Sequence, residues 1–403
     1  MGGVREFMIR ECKYHVDLEY RNVGQGLFYT GVFRDLDRES VFSMVYDCGT
    51  LSNGNYICSA IEDFIGDLDG HGINLLIISH FDADHINYID KLIAEVGAPN
   101  RVILPYLTPS EVLIAYSIAE TADASDSVLS LIIDPTAFFL EKGTTEVIFL
   151  HPNGEDSEEG IESQGFDFYN GLRPYEKNIK KNGVEHFYDS GFISIGIIWK
   201  LKFFQKSVKS ERLSAFKALL HKKFKLSEGE KIEPKELIKK KGSLNALRGL
   251  YKEAFGKQGM NNTSVVVHHF KICNNSSLSV IKSKYSYPLL NRQVHSETNN
   301  LLTGDLKIGP LCYKKITNKW RGIENTKFLS IQIPHHGANN FMCKEAFSGF
   351  QNVKYWVINF GLGNRDRHPA SETLKLFEDN KKSGKLALNH QYANFSTRIY
   401  IYD

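Results

Sequence analysis

The sequence lacks an apolar run long enough to cross a bilayer, and it lacks a secretion signal. No hydrophobic stretch approaches the roughly 20 residues that a transmembrane helix needs, and charged residues interrupt the first twenty positions, where a signal peptide carries its apolar core. We therefore expect the chain of 403 residues to stay in the cytoplasm, away from membranes. Hydrophobic residues make up 42% and charged residues 24%, proportions typical of soluble globular proteins rather than of disordered chains.

The sequence also lacks the cysteine patterns of zinc ribbons and of secreted disulfide frameworks. Its six cysteines are scattered, and none forms a Cys-x-x-Cys pair. The glycine-rich segment Val23-Gly-Gln-Gly26 is not a phosphate-binding loop, because no Gly-Lys-Ser/Thr follows it. We find no internal repeat. With these classes excluded, local clusters of reactive residues must indicate the function.

Hydrophobic periodicity predicts an α/β fold. Short or alternating apolar runs predict antiparallel strands over residues 14–46, followed by helix, strand, helix and strand over residues 57–68, 74–79, 86–96 and 101–105. That succession is typical of layered α/β architectures. Further strands are predicted at residues 145–150, 192–204, 263–270, 278–283, 300–303, 328–333, 355–359, 386–388 and 398–402, and a helix at residues 371–380.

Charge is distributed unevenly along the chain. Residues 200–257 contain 17 Lys/Arg and 6 Asp/Glu, a net charge of +11 in a chain whose total is +2. Two helical patterns, at residues 210–226 and 234–254, carry most of it. A solvated helix surface explains such a bias for one helix, but two adjacent basic helices make a nucleic-acid groove plausible. The interleaved aromatic residues have helical spacing, which favours core positions over base-stacking platforms: Phe203, Phe204, Phe216, Phe224, Tyr251 and Phe255.

One short segment concentrates metal-ligand side chains. His80, Asp82, Asp84 and His85 fall within six residues, directly after a buried strand and before a helix. Neutral imidazoles and carboxylates are common ligands of divalent metals, and a turn at a strand end lets alternate side chains converge. This spacing predicts a metal site, because unrelated polar residues rarely supply four potential ligands in one turn.

This segment resembles the His-x-His-x-Asp-His signature of the metallo-β-lactamase-fold hydrolases, with Asp82 in place of the second histidine. The variant is similar to the branch that contains the nuclease-like domain of the competence protein ComEC. Other segments agree with that branch in their order along the chain: Val23-Gly-Gln-Gly26, Asp47-Cys-Gly49, Leu150-His-Pro152, Asn261-Asn-Thr-Ser264, Leu302-Thr-Gly-Asp305, Pro334-His-His-Gly337, Asn364 and His368-Pro369.

The resemblance implies an αββα sandwich, a set of ligands and a domain division. His80 and Asp82 would bind a first metal, Asp84 and His85 a second, and Asp305 both, while His335 or His336 completes the second site. The sandwich would comprise residues 1–152 and 261–403. Residues 153–260 would be an insertion, an acidic loop at 153–165 followed by the basic helical lobe. Asn87 and Tyr88 depart from the paired glycines of the branch, and no third-motif histidine is evident.

The other histidines differ in how strongly the sequence favours a functional role over a structural one. His368 follows a glycine-rich turn. It either hydrogen-bonds a phosphate or donates a proton to a leaving group, or it caps the helix at Ser371. His151 is more readily explained as structural, and His390 is a weaker candidate of the same kind as His368. His268 and His269 are adjacent on a strand, so at most one of them faces any given site.

These features predict a metal-dependent hydrolase. One or two divalent ions would activate water, with Asp84 and His368 taking part in catalysis; carboxylate ligands favour manganese, and zinc stays possible. A phosphodiester of DNA or RNA, captured by the basic lobe, is the leading substrate. The alternatives are a small ester, thioester, lactone or cyclic nucleotide, and a non-enzymatic metal-binding component of a bacterial defence assembly with a protein partner.

Overall fold

Two β-sheets pack face to face in this computed structural model. The structure describes residues 11–152, 166–167, 183–189, 191–206, 210–227, 230–240, 242–255, 264–281, 294–379 and 384–402. The predicted acidic loop at residues 153–165 and the first three residues of the Asn261-Asn-Thr-Ser264 motif lie outside these ranges.

The first sheet has ten strands. They are β1 (Cys12–Tyr20), β2 (Gly26–Asp35), β3 (Ser40–Thr50), β4 (Leu75–Ile77), β5 (Arg101–Pro105), β6 (Glu146–His151), β8 (Val184–Tyr188), β12 (Ser277–Ile281), β13 (Val294–His295) and β18 (Phe395–Tyr402). Their order across the sheet is β13, β12, β18, β1, β2, β3, β4, β5, β6, β8. The strands from β3 to β8 run parallel, so their carboxyl ends meet at one edge.

The second sheet has eight strands. They are β7 (Phe166–Asp167), β9 (Phe192–Ile195), β10 (Trp199–Phe204), β11 (Val266–Lys271), β14 (Asn299–Leu302), β15 (Phe328–Gln332), β16 (Val353–Asn359) and β17 (Lys385–Asn389). The order is β17, β16, β15, β14, β11, β10, β9, β7. The strands from β14 to β17 run parallel.

Helices cover both outer faces of the sandwich. On the first sheet lie α1 (Gly54–Leu68), α2 (Ala83–Ile86), α3 (Ile89–Val96), α4 (Pro109–Thr121), α5 (Asp126–Ile133) and α6 (Pro135–Glu141). On the second lie α10 (Pro310–Lys319), α11 (Lys344–Gly349) and α12 (Ser371–Asp379). This helix-sheet-sheet-helix order confirms the predicted αββα class.

Apolar side chains fill the space between the sheets, because successive side chains of a strand point to opposite faces and one set points inward. On β1, Val16, Leu18 and Tyr20 face the inner core, whereas the residues between them are partly exposed. Two polar contacts cross the interface: Tyr46 Oη donates to the carbonyl of Val265 at 2.6 Å, and Tyr29 Oη lies 3.0 Å from His269 Nε2. These contacts fix the two sheets against each other.

Three further helices form a lobe beside the sandwich: α7 (Ser210–Phe224), α8 (Pro234–Ile238) and α9 (Ser243–Phe255). Their apolar sides pack against Leu113 and Ile114 of α4. Phe203, Phe204 and Phe216 are buried as predicted, although Phe203 and Phe204 lie on the strand β10 and not on a helix. The lobe and α4 therefore share one small core of their own.

The range predicted as an insertion also contains strands of the sandwich. β8 extends the first sheet, and β9 and β10 belong to the second, where Trp199 and Leu201 enter the inner core. Only the helices α7–α9 lie outside the two sheets among the described residues of that range. The exact division into domains stays a prediction.

Several elements differ from their predicted bounds. The single helix predicted at residues 86–96 is two helices, α2 and α3, separated by Asn87 and Tyr88. The strand predicted at residues 192–204 is the pair β9 and β10, which turn at Gly196, where φ is +53°. The helices from α4 to α6 were not predicted. Within the described residues, no helix has both the length and the hydrophobicity to cross a membrane.

Candidate metal centre

The predicted ligands meet at the edge where the parallel strands of both sheets end. His80 follows β4, Asp84 and His85 lie in the short helix α2, and Asp305 follows β14. His335 and His336 follow β15. Two sets of possible ligand atoms lie within 4.8 Å of one another: His80, His85 and Asp305 form one, and Asp84, His85 and His336 form the other. His85 belongs to both.

Two glycines let the chain bring these residues together. A Cβ atom on Gly49 would lie 2.6 Å from the backbone nitrogen of His85, and one on Gly26 would lie 2.8 Å from the carbonyl oxygen of Asp84. Gly26 also has a φ of +155°, which L side chains rarely adopt. Gly26 and Gly49 are therefore required by the close approach of β2 and β3 to α2.

Asn87 stands where the resemblance predicted a glycine, and it has a specific structural role. Its Oδ1 accepts a hydrogen bond from the Thr50 backbone nitrogen at 3.0 Å, and its Nδ2 donates to the Thr50 carbonyl at 2.8 Å. Tyr88 lies over Gly54, where an added Cβ would meet its hydroxyl at 2.1 Å. Asn87 thus fastens the metal-ligand turn to the end of β3, and Tyr88 packs it against the start of α1.

Asp47 and Ser79 determine which nitrogen of His80 and His85 carries a proton. Ser79 Oγ donates its hydrogen to Asp47 Oδ2 at 2.6 Å, so at 2.8 Å it accepts from His80 Nδ1. His85 Nδ1 donates to Asp47 Oδ2 at 2.8 Å. Each imidazole therefore directs an Nε2 lone pair into the site.

His336 is held in the same way. Its Nδ1 donates to the carbonyl oxygen of Asn359 at 2.8 Å, which leaves the Nε2 lone pair 3.0 Å from Asp84 Oδ2. Two acceptor atoms facing each other at this distance repel unless a cation or a proton lies between them. The backbone supports this placement, because His335, His336 and Gly337 adopt φ values of +50°, +54° and +77°.

Polar atoms without hydrogen-bond partners converge in this site. His80 Nε2, His85 Nε2 and Asp305 Oδ1 are buried and make no hydrogen bond in the described structure. Asp305 Oδ1 lies 3.2 Å from His85 Nε2, and Asp305 Oδ2 lies 3.7 Å from His80 Nε2. Buried polar groups are rarely left unsatisfied. The donor set therefore fits a divalent metal ion.

The charge balance of the site also favours a cation. Burial lowers the pKa of His85, but Asp305, Asp47 and Asp84 raise it well above its usual value. Burial raises the pKa of Asp84, but His85 and His336 lower it to about 2. These opposite shifts show that the carboxylates stabilise positive charge at the place where the Nε2 atoms meet.

The remaining predicted site residues lie at the periphery. Asp82 Oδ2 is 3.5 Å from His80 Nε2, and the Asp82 side chain is one-third exposed. His335 Nε2 is 3.6 Å from Asp305 Oδ2. Neither belongs to the two ligand sets found among the described residues. His368 is half-buried, with its ring centroid 5.4 Å from that of His335 and 6.4 Å from that of His336.

The other histidines considered in the sequence make structural contacts away from the two ligand sets. His268 packs against Trp320 and Phe328 on the outer face of its sheet, whereas His269 faces the inner core, so the predicted opposite orientation is confirmed. His151 Nε2 hydrogen-bonds His186 Nδ1 at 2.8 Å and stacks on Tyr106. His390 Nδ1 accepts from the Tyr392 backbone nitrogen at 3.2 Å.

Sequence reasoning missed the supporting residues of the site. Asp47 was noted as part of a motif at a strand end but was given no role, and Ser79 precedes His80 directly. The carbonyl oxygen of Asn359 could not have been found, because any residue type supplies one. An acidic residue at a strand end near the predicted ligands was the usable indication.

No family model matches the sequence, and no curated protein matches it. Solved structures show distant similarity. The metallo-β-lactamase fold protein YhfI from Bacillus subtilis is 8% identical with a TM-score of 0.34, covering 94% of this chain and 97% of its own. Metallo-β-lactamase MIM-1 from Novosphingobium pentaromativorans is 11% identical with a TM-score of 0.29, covering 90% and 87%. Unliganded yeast PDE1 is 8% identical with a TM-score of 0.38, covering 97% and 100%. With similarities this low, function must be inferred from the site residues themselves, and the ComEC-type branch stays a prediction.

Proposed function

We propose that this protein is a metal-dependent hydrolase of the ComEC-like branch that cleaves phosphodiester bonds in DNA or RNA. One observation carries the proposal. His80, His85 and His336 each have Nδ1 held by a buried acceptor and Nε2 directed toward Asp84 or Asp305. This is the arrangement by which proteins orient histidine ligands toward metal ions.

The two ligand sets indicate where ions would bind. His80, His85 and Asp305 would hold one, and Asp84, His85 and His336 the other, with Asp82 at the open side of the first. Divalent ions bound in such pairs activate water and stabilise charge on phosphoryl oxygens. The carboxylates favour manganese, although three imidazoles also suit zinc.

His368 is placed to act on the leaving group. Asn364 holds its backbone on both sides: Asn364 Oδ1 accepts from the His368 nitrogen at 2.8 Å, and Asn364 Nδ2 donates to the His368 carbonyl at 2.6 Å. The ring then lies beside His335 and His336. An imidazole at this distance from the ligands can donate a proton to the departing oxygen.

The position of the basic lobe favours a nucleic-acid substrate over a small one. Phe204, at the end of β10, pairs with Val266, and Val265 donates to the carbonyl of Ser79, next to His80. Ser264 accepts a hydrogen bond from the Asp305 backbone nitrogen at 3.1 Å. Both chain segments that connect to the lobe therefore begin at the metal edge, the sheet edge at which the predicted metal ligands meet. The first helix of the lobe starts only six residues beyond Phe204, a span of at most about 21 Å.

The lobe carries exposed lysines that can contact phosphates. Lys217, Lys222, Lys223, Lys225 and Lys240 are exposed and make no ion pair with other residues of the described ranges. Free cationic side chains on a lobe joined to the edge that holds the metal ligands would neutralise a polyanion and release its counterions. A small neutral ester would gain nothing from them.

The proposal is tested by measuring metal content and cleavage together. Protein purified without chelator is analysed for bound metals and then incubated with single- and double-stranded DNA and RNA and with methyl p-nitrophenyl phosphate, each with added manganese. We expect manganese-dependent cleavage of at least one polynucleotide. Hydrolysis of the small phosphodiester or of esters alone, with every polynucleotide intact, would instead support the small-substrate alternative.

A further inference from the structure

Three loops at the metal edge are fastened to one another by two buried glutamines. Gln25 Oε1 accepts from the Gly361 nitrogen at 3.1 Å, and the Gln25 carbonyl accepts from the Leu51 nitrogen at 2.6 Å. Gln391 Oε1 accepts from the Leu362 nitrogen at 2.9 Å, and its Nε2 donates to the Leu362 carbonyl at 3.3 Å. The loops after β3, β16 and β17 are therefore held as one surface.

Each of these loops presents an exposed apolar side chain. Leu51 is 59% exposed, Leu362 49% and Tyr392 55%. Tyr392 is positioned by Tyr56, whose hydroxyl lies 2.9 Å from its own and whose ring meets it edge-on at 5.6 Å. Exposed apolar groups gathered on a rigid surface are typical of binding sites rather than of solvated loops.

This apolar surface adjoins the metal centre. Leu51 is two residues from Gly49, which contacts the His85 backbone, so it lies within about 7 Å of that glycine. Leu362 is three residues from Asn359, whose carbonyl holds His336, and lies within about 11 Å of it. A substrate at the metals would therefore extend toward Leu51 and Leu362 with its neighbouring chemical group.

The loop that carries Leu362 also carries positive charge. Arg365 and Arg367 are exposed, and neither pairs with an acidic residue in the described part of the chain. Asp366 lies between them, so the segment keeps a net positive charge. The same loop ends at His368, beside the metal ligands. It thus combines an apolar surface with guanidinium groups that match phosphate oxygens.

We infer that Leu51, Leu362 and Tyr392 bind the base, and Arg365 and Arg367 the phosphate, of a nucleotide that adjoins the scissile bond. The inference rests on the proposed hydrolase and names the substrate group that the enzyme recognises. Aromatic and leucine side chains pack against the face of a base, and an arginine donates hydrogen bonds to the phosphate next to it. An acyl or lactone substrate would leave both arginines without a partner.

Binding of two ligands that differ only in the base tests this assignment. Isothermal titration calorimetry on the manganese-loaded protein compares AMP with ribose 5-phosphate. We expect the parent to bind AMP about tenfold more tightly, because stacking on an aromatic side chain contributes about 1–3 kcal/mol. Tyr392→Ala should remove most of that preference, while Tyr392→Phe, which keeps the ring, should retain it.

The two parts of the subsite give different results. Replacing Arg365 and Arg367 with glutamine should weaken both ligands by a similar factor, since both carry the phosphate. Leu362→Ala serves as a second test of the base site if Tyr392→Ala lowers the melting temperature. Equal binding of the two ligands to the parent, or an unchanged base preference in both alanine variants, would overturn the assignment.

This experiment is independent of the proposed cleavage reaction. If the base preference depends on Tyr392 but no polynucleotide is cut, the subsite stands and the nuclease proposal fails. If polynucleotides are cut but AMP and ribose 5-phosphate bind equally, the nuclease proposal stands and the subsite fails.

Discussion

The metal edge and the helical lobe use polar residues in opposite ways. At the metal edge, His80, His85 and His336 are buried, and each ring is fixed by a hydrogen bond at Nδ1. On the lobe, Lys222 and Lys223 are exposed and make no ion pair with a described residue. One region holds its side chains in a single geometry, and the other leaves them free.

The proposed function assigns the chemistry to the metal edge and substrate capture to the lobe. A reaction needs ligand atoms placed to within a few tenths of an ångström, and buried hydrogen-bond partners of the ligand rings provide that precision. Capture of a polyanion depends on long-range charge, which free lysines provide over about 10 Å at moderate salt. Mutations in the two regions should therefore have effects of different size and kind.

The largest effect should follow removal of a carboxylate ligand. Asp84→Ala and Asp305→Ala should each abolish metal binding at one or both sets and lower turnover by roughly a thousandfold or more, because metal activation of the reaction is worth several kcal/mol. Elemental analysis and steady-state rates measure both, and circular dichroism checks the fold. A variant that retains both its metal and its rate would show that the site is assigned wrongly.

The two adjacent histidines should differ from each other. His336 is held by Asn359 and faces Asp84, whereas His335 Nδ1 is buried and has no hydrogen-bond partner among the described residues. His336→Ala should lower metal affinity at least tenfold more than His335→Ala does, as measured by competition with a fluorescent chelator. Equal losses in the two variants would show that both rings bind metal.

Asp47 tests whether the fixed geometry matters. Asp47→Asn keeps the side chain's shape but removes the charge that accepts from Ser79 and from His85 Nδ1. We expect a 10- to 100-fold loss of metal affinity, which is roughly the usual effect of such supporting residues. If the affinity is unchanged, the buried hydrogen bonds do not orient the ligands.

Charge reversal on the lobe should affect binding and spare the chemistry. Replacing Lys222, Lys223 and Lys225 with glutamate should weaken polynucleotide binding about tenfold or more at low salt and flatten the slope of log affinity against log salt by about 0.7–0.9 per lost contact. Fluorescence anisotropy measures both quantities, and hydrolysis of methyl p-nitrophenyl phosphate should stay unchanged.

A matched control separates a local site from a general charge effect. Lys327, Lys344 and Lys375 are exposed on the helical layer and loops of the second sheet and make no ion pair with a described residue. Their replacement by glutamate changes the net charge by the same amount. If both triple variants weaken binding equally, the lobe is not a specific contact.

The smallest effect should be on the pH dependence of stability, and it concerns His268, a structural histidine outside both regions. Burial lowers the pKa of His268 to about 3, below the value of about 6.5 in an unfolded chain. Between about pH 6.5 and 3, His268 therefore binds a proton in the unfolded state but not in the folded state. In that range it lowers the free energy of unfolding by about 1.4 kcal/mol for each pH unit of acidification.

His268→Leu should remove this contribution, so that the free energy of unfolding in urea falls less steeply from pH 7 to pH 5. His221→Leu, at a partly exposed position on the lobe, is the control. An identical pH dependence in the His268 variant and the parent would show that His268 is already accessible to protons in the folded state.

The sequence predicted the parts of the fold that depend on local spacing. The buried strand before His80 and the ligand turn were recognisable because alternating or continuous apolar runs and clustered ligands are local patterns. The helices α4–α6 were missed. Hydrophobic residues of α4 lie on more than one side, since the helix packs on both the sheet and the lobe.

The choice between His335 and His336 could not be made from the sequence. The two are adjacent and chemically identical, and only the left-handed backbone after β15 directs one toward Asp84 and the other toward Asp305. The integration of β8–β10 into the sheets was likewise hidden, because long-range pairing leaves no local pattern.

The most direct test of the central claim is metal stoichiometry of the parent and of His85→Ala. His85 belongs to both ligand sets, so its loss should affect both. After equilibrium dialysis against manganese and elemental analysis, the parent should hold one or two ions per chain, and the folded His85→Ala variant should hold none. A parent without bound metal, or a variant that binds as much as the parent, would contradict the proposed metal centre.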